Sequence, residues 1–592
     1  MRRSRIGVPS AAQGISRSRA AVRPEFLSDA VIPLCGVVGA LALWGISLGT
    51  IHVRDITDLG LVSVMPPLSF VALAILVLGF ANALARRSPT PVLLAHVLAA
   101  VFMLYGLPAL VEEAPRFFVA WRHVGVVENL ARTGLIDPSI DAYLNWAGFF
   151  SLVLLWWQGA GLSSAMDLVP WAPVVFMGTY LAPLVLIGRQ ATENPQVVWL
   201  GVWIFLLANW VGQDYLSPQA FAFLLYLSIL GLTLRGLRKG PPTRLLGLGR
   251  FFARRASQLA EPRSLAVPYS GLVILLFAAA VFSHQLTPVA IVALFVGLAC
   301  TAIPALRGMT VLMALLLGAW LSYFAITYVT GHVAGVLEPI GSVESTVAAN
   351  VGDRLRGSPE HLIVVVVRIV LTFSLWALAA LGTALAFRRG HRDLTLPFLA
   401  ALPFGLILLQ TYGGEILLRA FLFGLPFVTF LAAIPFIRTS RALTTVAVAA
   451  LSLVLVGSFL VSRYGNERME MATAYERAGA DELYELAPPH STLIAATSSV
   501  FWRHRDYEQY RHIEVTDAVL ADDLDAIVAR GGERGTDAAF LYLSRAQRAG
   551  LEIQGGITAN DWDIFRESLA LDGRFTRIYE NPDVEIYELT LR

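Results

Sequence analysis

Acidic and basic side chains gather in the polar segments that separate long apolar stretches of this chain. Glu112 and Glu113 end one apolar stretch, Arg116 follows them, and Asp214 lies in the polar run NWVGQDYLSPQ. A carboxylate can take a proton from a hydroxyl as a general base, and a guanidinium can bind a phosphate through two parallel hydrogen bonds. We therefore take Glu112, Glu113 and Asp214 as candidate catalytic residues.

Other polar and aromatic residues occupy the same set of segments and are candidates for substrate binding. Carboxylates, amides and cations can hydrogen-bond to hydroxyl and phosphate groups. Aromatic rings with a polar tip offer flat amphipathic faces that suit sugar rings. The candidates are Arg116, His123, Asp141, Tyr143, Gln213, Tyr215, His284, Glu415 and Arg419.

Each candidate also has an ordinary structural interpretation. Arg116 lies three or four residues from the glutamate pair, which is the spacing of a local ion pair on a helix. His284 can be a helix-end residue bonded to a carbonyl, and Asp55 and Asp58 can be solvated loop acids. The functional interpretation depends on the joint placement of acids, amides, aromatic residues and cations on one side of the apolar stretches.

The apolar stretches themselves predict a polytopic membrane protein. The chain is 56% hydrophobic and only 15% charged, which is far from the balance of a soluble domain. A helix needs about 20 apolar residues to cross a bilayer, and backbone in lipid must be helical to satisfy its hydrogen bonds. Thirteen spans are predicted, at about 29–49, 61–83, 90–110, 168–188, 196–211, 217–234, 267–283, 288–305, 309–330, 362–386, 395–411, 418–436 and 443–462.

The charges of the connecting segments predict the orientation. Lys and Arg are enriched in short cytoplasmic loops. The N-terminal segment and every second connection after it together carry 23 such residues, and the remaining connections carry 7. The N-terminus is therefore predicted to be cytoplasmic and, with an odd number of spans, the C-terminal segment to be extracytoplasmic. The chain has a single lysine, and so strong a preference for arginine is typical of a GC-rich bacterial genome, which favours the plasma membrane.

The predicted fold class is an all-α polytopic membrane bundle of about 13 helices with a small α/β extracytoplasmic domain at the C-terminus. The predicted units are a cytoplasmic basic tail at 1–28, a transmembrane domain at 29–462 with outer loops 111–167 and 331–361, and the C-terminal domain at 463–592. Within the last unit, polar helix-like and alternating strand-like runs follow one another, which is typical of an α/β domain. The helix-like runs are 466–486, 516–531 and 559–571, and the strand-like runs are 491–497, 538–544 and 574–591 with a hairpin turn at Asn581-Pro582-Asp583.

One further apolar segment, 146–163, is short, rich in Trp and interrupted by glycine. If this segment were a span, every later loop would be predicted on the opposite side of the membrane, and the basic stretch 235–263 would lie outside. Trp prefers the level of the lipid headgroups. We therefore expect an interfacial helix that lies on the outer surface.

Several other classes of protein lack support in the sequence. It contains no phosphate-binding P-loop, no glycine fingerprint for a dinucleotide and no zinc-ligand spacing. The two cysteines, Cys35 and Cys300, both fall within predicted spans, so no disulfide framework is indicated. The net charge of +2 gives no reason to expect a nucleic acid partner.

Acids, phosphate-binding cations and aromatic faces beside the outer leaflet suit one reaction in particular. They predict transfer of a sugar from a polyprenyl-phosphate carrier to an envelope glycan, lipid or protein acceptor. Carboxylates are also ligands that Mg²⁺ and Mn²⁺ accept, so a divalent cation is an open expectation. The expected partners are the lipid-linked sugar donor, membrane lipids and the acceptor.

With these features the sequence resembles the GT-C superfamily of integral-membrane glycosyltransferases, which includes protein O-mannosyltransferases, lipid A aminoarabinose transferases and oligosaccharyltransferases. The segment EEAPRFFVAWRHVGVVENLARTGLID at 112–137 is similar to the family's acidic pair followed by an amphipathic helix and a Thr-Gly turn. NWVGQDYLSPQ and SHQLTP resemble motifs of actinobacterial members. The resemblance covers nearly the whole chain.

The resemblance implies an inverting transfer. Glu112 or Glu113 would be the base that deprotonates the acceptor and Asp214 a second acid. His284 and Arg419 would lie near the donor phosphate.

The sequence departs from the family in three respects. Its large acidic loop follows the third span instead of the first, its acidic pair is Glu-Glu, and the Trp-Trp-Asp signature of oligosaccharyltransferases is absent from the tail. The first two departures leave Asp55, with Asp58, as a positional competitor for the role of base. The third argues against peptide N-glycosylation.

Two alternatives stay open. A polysaccharide ligase or polymerase would share the outer acids and cations. A secondary transporter would favour inverted repeats and ionisable residues near the bilayer midplane; the sequence shows no convincing repeat, and its polar residues cluster at one side.

Overall fold

The computed structural model describes residues 24–237, 267–301, 306–337, 356–391, 393–408, 415–533, 536 and 538–591. Most of the predicted basic tail, most of the basic stretch 235–263 and the middle of the predicted outer loop 331–361 lie outside the described residues.

The first part of the chain is a helical bundle. Several of its helices begin with proline in their first turn, where the missing N–H has no cost because that position has no intrahelical acceptor. The helices are α1 Pro24–Leu48, α2 Pro67–Ala85, α3 Thr90–Tyr105, α4 Leu107–Val111, α5 Phe118–Thr133, α6 Gly148–Ala160, α7 Ala172–Ala191, α8 Pro195–Ala208, α9 Pro218–Leu237, α10 Val267–Ser283, α11 Thr287–Thr301, α12 Arg307–Tyr323, α13 Ile326–Leu337, α14 Pro359–Arg388, α15 Thr395–Ala401, α16 Ile416–Ala433 and α17 Arg441–Tyr464.

Each of the thirteen predicted spans coincides with a helix in this bundle. Seven helices are long and apolar enough to cross a membrane by length and composition, namely α1, α2, α7, α9, α14, α16 and α17. The other six are apolar but shorter, so the structure supports a multi-pass membrane protein without fixing the number of crossings at thirteen. Every residue of α8 except its first is buried, and α16 is 89% buried across its apolar window, so these two helices form the centre of the bundle.

Helix α6 occupies the segment expected to lie at the membrane interface. Its 13 residues span about 20 Å at 1.5 Å per residue, which is too short to cross a bilayer core of about 30 Å. Phe149, Phe150 and Val153 are buried against the protein, whereas Leu155 and Trp156 are exposed. This one-sided burial agrees with a helix that lies on the surface of the bundle.

The C-terminal domain contains a five-stranded sheet of β1 Thr492–Ala495, β2 Arg511–Glu514, β3 Ala539–Ser544, β4 Phe575–Asn581 and β5 Val584–Leu589, in the order β2-β1-β3-β5-β4. Strands β1 and β3 lie side by side and parallel, and β5 is antiparallel to β3 and β4, so the predicted strands and terminal hairpin are confirmed. Strand β2 was not expected, because its four residues, RHIE, carry no apolar alternation. The helices of the domain are α18 Glu467–Glu470, α19 Ala474–Leu486, α20 Thr516–Leu520, α21 Leu524–Gly531, α22 Arg545–Ile553 and α23 Ala559–Leu571.

The C-terminal domain packs onto one end of the bundle through the connections between helices. The connection after α4 pairs with the start of the domain through a bridge between Ala114 and Ala472, and the backbone N–H of Phe117 donates to the carbonyl of Glu470 at 2.9 Å. The connection after α1 is held by an ion pair between Asp58 and Arg468 at 2.8 Å. The polar connections that the sequence places on one side of the bundle therefore meet at the end that carries this domain.

Candidate active site

A cavity of about 320 Å³ lies where the C-terminal ends of α3, α4 and α17 meet the connection that leads into α5. We call it the acid–base cavity. Its wall combines buried acids, guanidinium groups and phenols. The polar residues in the wall are Tyr105, Glu112, Glu113, Arg116, Asp167, Tyr215, Arg463, Tyr464 and Arg477.

Glu112 is an acid of the cavity wall whose carboxylate oxygens are buried. It caps the end of α4, and both of its carboxylate oxygens are buried without a donor among the described residues. Burial raises the pKa of the Glu112 carboxyl to about 7, although the positive charge of Arg116 opposes the rise. A carboxyl with a pKa near neutrality can both accept and release a proton under physiological conditions.

The C-terminal domain supplies a second carboxyl beside Glu112. Glu467, the first residue of α18, is fully buried and lies within hydrogen-bond reach of Glu112. Burial also raises the pKa of Glu467 well above its usual range. Two carboxyl groups can hydrogen-bond to each other only if one is protonated, so this pair favours a shared proton.

Arg116 holds the second carboxyl in place. Its Nε and Nη2 atoms each donate to one oxygen of Glu467 at 2.6 Å, and Nη2 also donates to Glu470 at 2.8 Å. The guanidinium is 7% exposed, and its Nη1 has no partner among the described residues. Arg116 therefore pairs with acids about 350 residues away instead of forming the local pair that its spacing suggested.

Glu113 has a different environment from its neighbour. Its two oxygens accept hydrogen bonds from Arg54 at 3.1 Å each, and one of them also accepts the backbone N–H of Ala474 at 2.9 Å. The hydrogen bonds from Arg54 and Ala474 hold the pKa of Glu113 below its usual range. Glu113 therefore lies at the rim of the cavity and ties the C-terminal domain to the connection after α1.

Asp214 lies behind the wall of the cavity and neutralises Arg463. The two side chains pair at 2.8 Å, and each is only 1% exposed. The guanidinium of Arg463 stacks over the ring of Tyr105 at 4.6 Å from its centroid, and its Nη1 has no partner among the described residues. This arrangement leaves Arg463 with an unused donor at the cavity wall while Asp214 compensates the buried charge.

Three further candidates form a separate network beside the cavity. Arg419 donates through Nη1 to Gln213 at 2.6 Å and through Nη2 to Glu415 at 2.7 Å. His284 lies at the neighbouring connection, where its Nδ1 accepts the backbone N–H groups of Leu286 and Thr287 at 3.2 and 3.1 Å. His284 therefore caps the start of α11, through N–H groups and not through the carbonyl that the sequence suggested.

His123, Tyr143 and Tyr215 form an aromatic stack on the bundle side of α5. The ring of His123 lies parallel to Tyr215 with centroids 5.7 Å apart and contacts Tyr143 edge to face. Its Nδ1 hydrogen-bonds to the carbonyl of Leu216 at 2.8 Å, and burial lowers the pKa of His123 to about 4. A neutral imidazole in this position shapes the wall through its ring and does not supply positive charge.

Asp141 forms an ion pair with Arg122 that holds the local structure. It accepts hydrogen bonds from Arg122 at 2.8 and 2.9 Å and from the backbone N–H of Tyr143 at 2.9 Å. The competing acids also lie outside the cavity wall, since Asp55 is exposed and Asp58 is paired with Arg468. The described residues of the connections thus bring Glu112, and not these acids, into the cavity.

The sequence analysis did not identify Tyr105, Arg463, Tyr464 and Glu467 as site residues. In the predicted division of the chain, Arg463 is only the first residue of the C-terminal unit 463–592. A usable signal is the polar run Asn466-Glu467-Arg468 shortly after that arginine.

A metal site is the remaining expectation for this region. Within the described ranges, no group of three or more His, Cys, Asp or Glu side chains is arranged to hold a metal ion. Glu112, Glu113 and Glu467 are instead paired with arginines or with each other, and Asp167 accepts hydrogen bonds from Ser163 and Ser164. No step is therefore assigned to Mg²⁺ or Mn²⁺.

No protein-family model and no curated relative matches the sequence. Among solved structures, ArnT from Cupriavidus metallidurans aligns in the apo state with a TM-score of 0.45 and 10% identity, over 84% of this chain and 98% of that one. The same protein bound to undecaprenyl phosphate aligns with a TM-score of 0.43 and 10% identity, over 84% and 97%. The Archaeoglobus fulgidus oligosaccharyltransferase tethered with an acceptor peptide aligns with a TM-score of 0.43 and 10% identity, over 88% of this chain and 74% of that one. Likeness at this level carries no conclusion about activity.

Proposed function

We propose that this chain is a membrane glycosyltransferase of the GT-C type, which transfers a sugar from a polyprenyl-phosphate carrier to a hydroxyl of an envelope glycan, lipid or protein at the outer face of the plasma membrane. The observation that carries the proposal is that a carboxyl with buried oxygens, whose pKa is raised by burial, shares one cavity with two guanidinium groups that each keep an unpartnered Nη1 among the described residues. A base and phosphate-binding cations are what this reaction requires.

In the proposed reaction Glu112 takes the proton of the acceptor hydroxyl. The acceptor oxygen attacks the anomeric carbon of the donor from the face opposite the phosphate, and a new glycosidic bond forms. The bond between the anomeric carbon and the phosphate oxygen breaks, and the polyprenyl phosphate leaves with the electron pair. A single displacement of this kind inverts the anomeric configuration.

Arg463 and Arg116 would stabilise the phosphate as its charge develops. Their Nη1 groups can donate hydrogen bonds in a site shielded from water, where such interactions are strong. Asp214 would act through Arg463, since it orients the guanidinium without lying in the cavity wall.

A lipid-borne donor also needs access from the membrane, and an apolar groove provides a path. A cavity of about 510 Å³ lies between α14, α15 and α16, with Phe373, Trp376 and Phe404 in its wall. Arg368 lies at the same groove and donates through Nε to the carbonyl of Ser462 at 2.7 Å, one residue before Arg463. In the proposed arrangement, the groove would hold the isoprenoid chain and the phosphate would lie toward Arg463 and the acid–base cavity.

The orientation follows from the charge asymmetry of the connections. The site and the C-terminal domain share one end of the bundle, and the connections at the other end carry most of the positive charge. Because basic loops stay in the cytoplasm, the site would face outward.

The experiment that tests the proposal compares a strain that lacks the gene with its parent. The envelope glycans and glycolipids of both strains are analysed by mass spectrometry. The proposal predicts that one sugar substituent is lost and that its polyprenyl-phosphate donor accumulates. An unchanged set of glycans and carrier lipids would refute it, and an accumulation of untransported solute would instead favour a transporter.

A further inference from the structure

A second, smaller cavity lies between helix α5 and the C-terminal domain. We call it the α5 cleft. Its volume is about 140 Å³, and its polar wall consists of Arg122, Tyr143, Ser498, Trp502, Arg503 and Glu514. It has room for a carboxylate or phosphate group with part of a sugar ring, but not for a lipid chain. Ligand sites often form at such junctions between structural units.

The close packing of α5 against the domain builds the cleft. A Cβ atom at Gly125 would lie 1.9 Å from the carbonyl oxygen of Arg503, so this contact requires glycine. Arg503 itself has a φ of 63°, a left-handed conformation that is strained for a residue with a side chain. Strain of this kind persists where the surrounding structure enforces it, and it is common at binding sites.

Among the described residues, the cleft contains one cation that has no acidic partner in direct contact, although the charge of Glu514 acts on it at longer range. Arg122 is neutralised by Asp141 at 2.8 Å, whereas Arg503 forms no hydrogen bond through its Nε and no ion pair within the part of the chain that the structure describes. The pKa of Arg503 is lowered by burial and by the nearby charge of Arg122. Glu514 is exposed at the rim and can accept a hydroxyl hydrogen bond.

We propose that the α5 cleft binds an acidic sugar unit of the acceptor, with Arg503 contacting its carboxylate or phosphate and Glu514 its hydroxyls. Guanidinium groups recognise carboxylate and phosphate by two parallel hydrogen bonds, and Tyr143 and Trp502 supply the apolar walls that a ring requires. The identity of the ligand as an acceptor rests on the proposed transferase function, whereas the binding of an acidic sugar does not.

The test measures binding to the full-length protein in lipid nanodiscs by saturation-transfer NMR. The probes are glucuronate, glucose 6-phosphate and glucose, which distinguish a carboxylate, a phosphate and a neutral ring. We expect at least one acidic probe to bind more tightly than glucose and its binding to weaken with salt. Arg503→Gln should weaken that binding roughly tenfold, the order expected when one charge-assisted hydrogen bond is lost, and Arg503→Lys should restore part of it.

The matched control is Arg511→Gln, which removes a partly exposed arginine of the same domain that pairs with Glu533 at 2.6 Å. It should leave the binding of the acidic probe unchanged. Equal binding of glucose and both acidic probes, or full binding by a folded Arg503→Gln variant, would overturn the inference. The binding measurement does not depend on turnover. A protein that binds the acidic sugar but shows no transfer in a separate activity assay would therefore count against the proposed function and not against the cleft.

Discussion

Replacing Glu467 by glutamine tests the coupling between the C-terminal domain and the proposed base. The new amide keeps a carbonyl oxygen that accepts from Arg116, but the carboxyl that shares a proton with Glu112 is lost. The hydrogen bond from Glu467 lowers the pKa of Glu112, because it stabilises the ionised form of that carboxyl. An amide N–H is a weaker donor than a carboxyl O–H, so the pKa of Glu112 should rise.

The expected shift can be read from the pH profile of transfer. A base with a pKa of about 7 is roughly half ionised at pH 7. If its pKa rises by about one unit, which is roughly the effect of weakening one hydrogen bond to a charged group, roughly one tenth is ionised at pH 7. The acidic limb of kcat/KM should therefore move from about pH 7 toward pH 8, and activity at pH 7 relative to the plateau should fall about fivefold.

The assay follows the transfer of a labelled sugar from its polyprenyl-phosphate carrier by protein in proteoliposomes between pH 5 and 9. The position of the limb does not depend on how much protein is folded, so a loss of stability would not imitate the shift. Glu470→Gln is the opposing comparison. The negative charge of Glu470, which also pairs with Arg116, raises the pKa of Glu112, so its removal should move the limb toward lower pH. A limb that stays in place in Glu467→Gln would refute the assignment of Glu112 as a base coupled to this domain.

Four other predictions follow from the same geometry. Arg463→Gln leaves Asp214 buried without its partner and should destabilise the fold by roughly 3–5 kcal/mol. The double variant with Asp214→Asn should regain thermal stability but transfer the sugar roughly 100-fold more slowly than the wild type. Equal activity of the double variant and the wild type would contradict the role of Arg463. Glu112→Gln should raise the unfolding midpoint much more at pH 8 than near pH 5. Folding raises the pKa of Glu112 from 4.5 to about 7, so the cost of Glu112 to stability grows from about pH 4.5 and is complete above about pH 7. A gain that does not depend on pH would contradict this. Thr372→Phe should narrow the apolar groove and raise the KM for a long-chain donor several-fold, with little effect on a short-chain donor; equal effects on both donors would count against the groove as the path of the chain. Leu571 has a side chain that is 88% exposed, and Leu571→Cys is made in a background without the two native cysteines. The new cysteine should react with a membrane-impermeant maleimide added outside intact cells. If it reacts only after the membrane is opened, the C-terminal domain is cytoplasmic and the proposed orientation is wrong.

The helical bundle could be predicted because a bilayer imposes a simple requirement on sequence. Each span must be apolar and must satisfy its own backbone, so hydropathy alone located the helices. The short helix α6 was separated from the spans by its length and by its Trp content. Strand β2 could not be predicted, since a four-residue edge strand of largely polar residues is stabilised by its neighbour and not by its own pattern.

The site was predictable only in part, because its partners are distant in the chain. Residue spacing suggested a local ion pair for Arg116, whereas the structure pairs it with Glu467 across 351 residues. The adjacent residues Glu112 and Glu113 have the same chemistry, and only their different surroundings at the end of α4 separate a buried acid from a tether. The different surroundings of Glu112 and Glu113 depend on how distant parts of the chain pack together, which cannot be inferred from the sequence of one segment.

The most direct measurement compares Glu112→Gln with Glu113→Gln in the proteoliposome assay at pH 8, with the donor that the deletion strain accumulates. Both variants remove one carboxylate at neighbouring positions, so they are matched in charge and size. Glu112→Gln should lose at least about 100-fold in transfer, the scale of general-base catalysis, while Glu113→Gln should stay within a few-fold of the wild type. Full transfer by a folded Glu112→Gln variant, or an equal loss in both, would contradict the account.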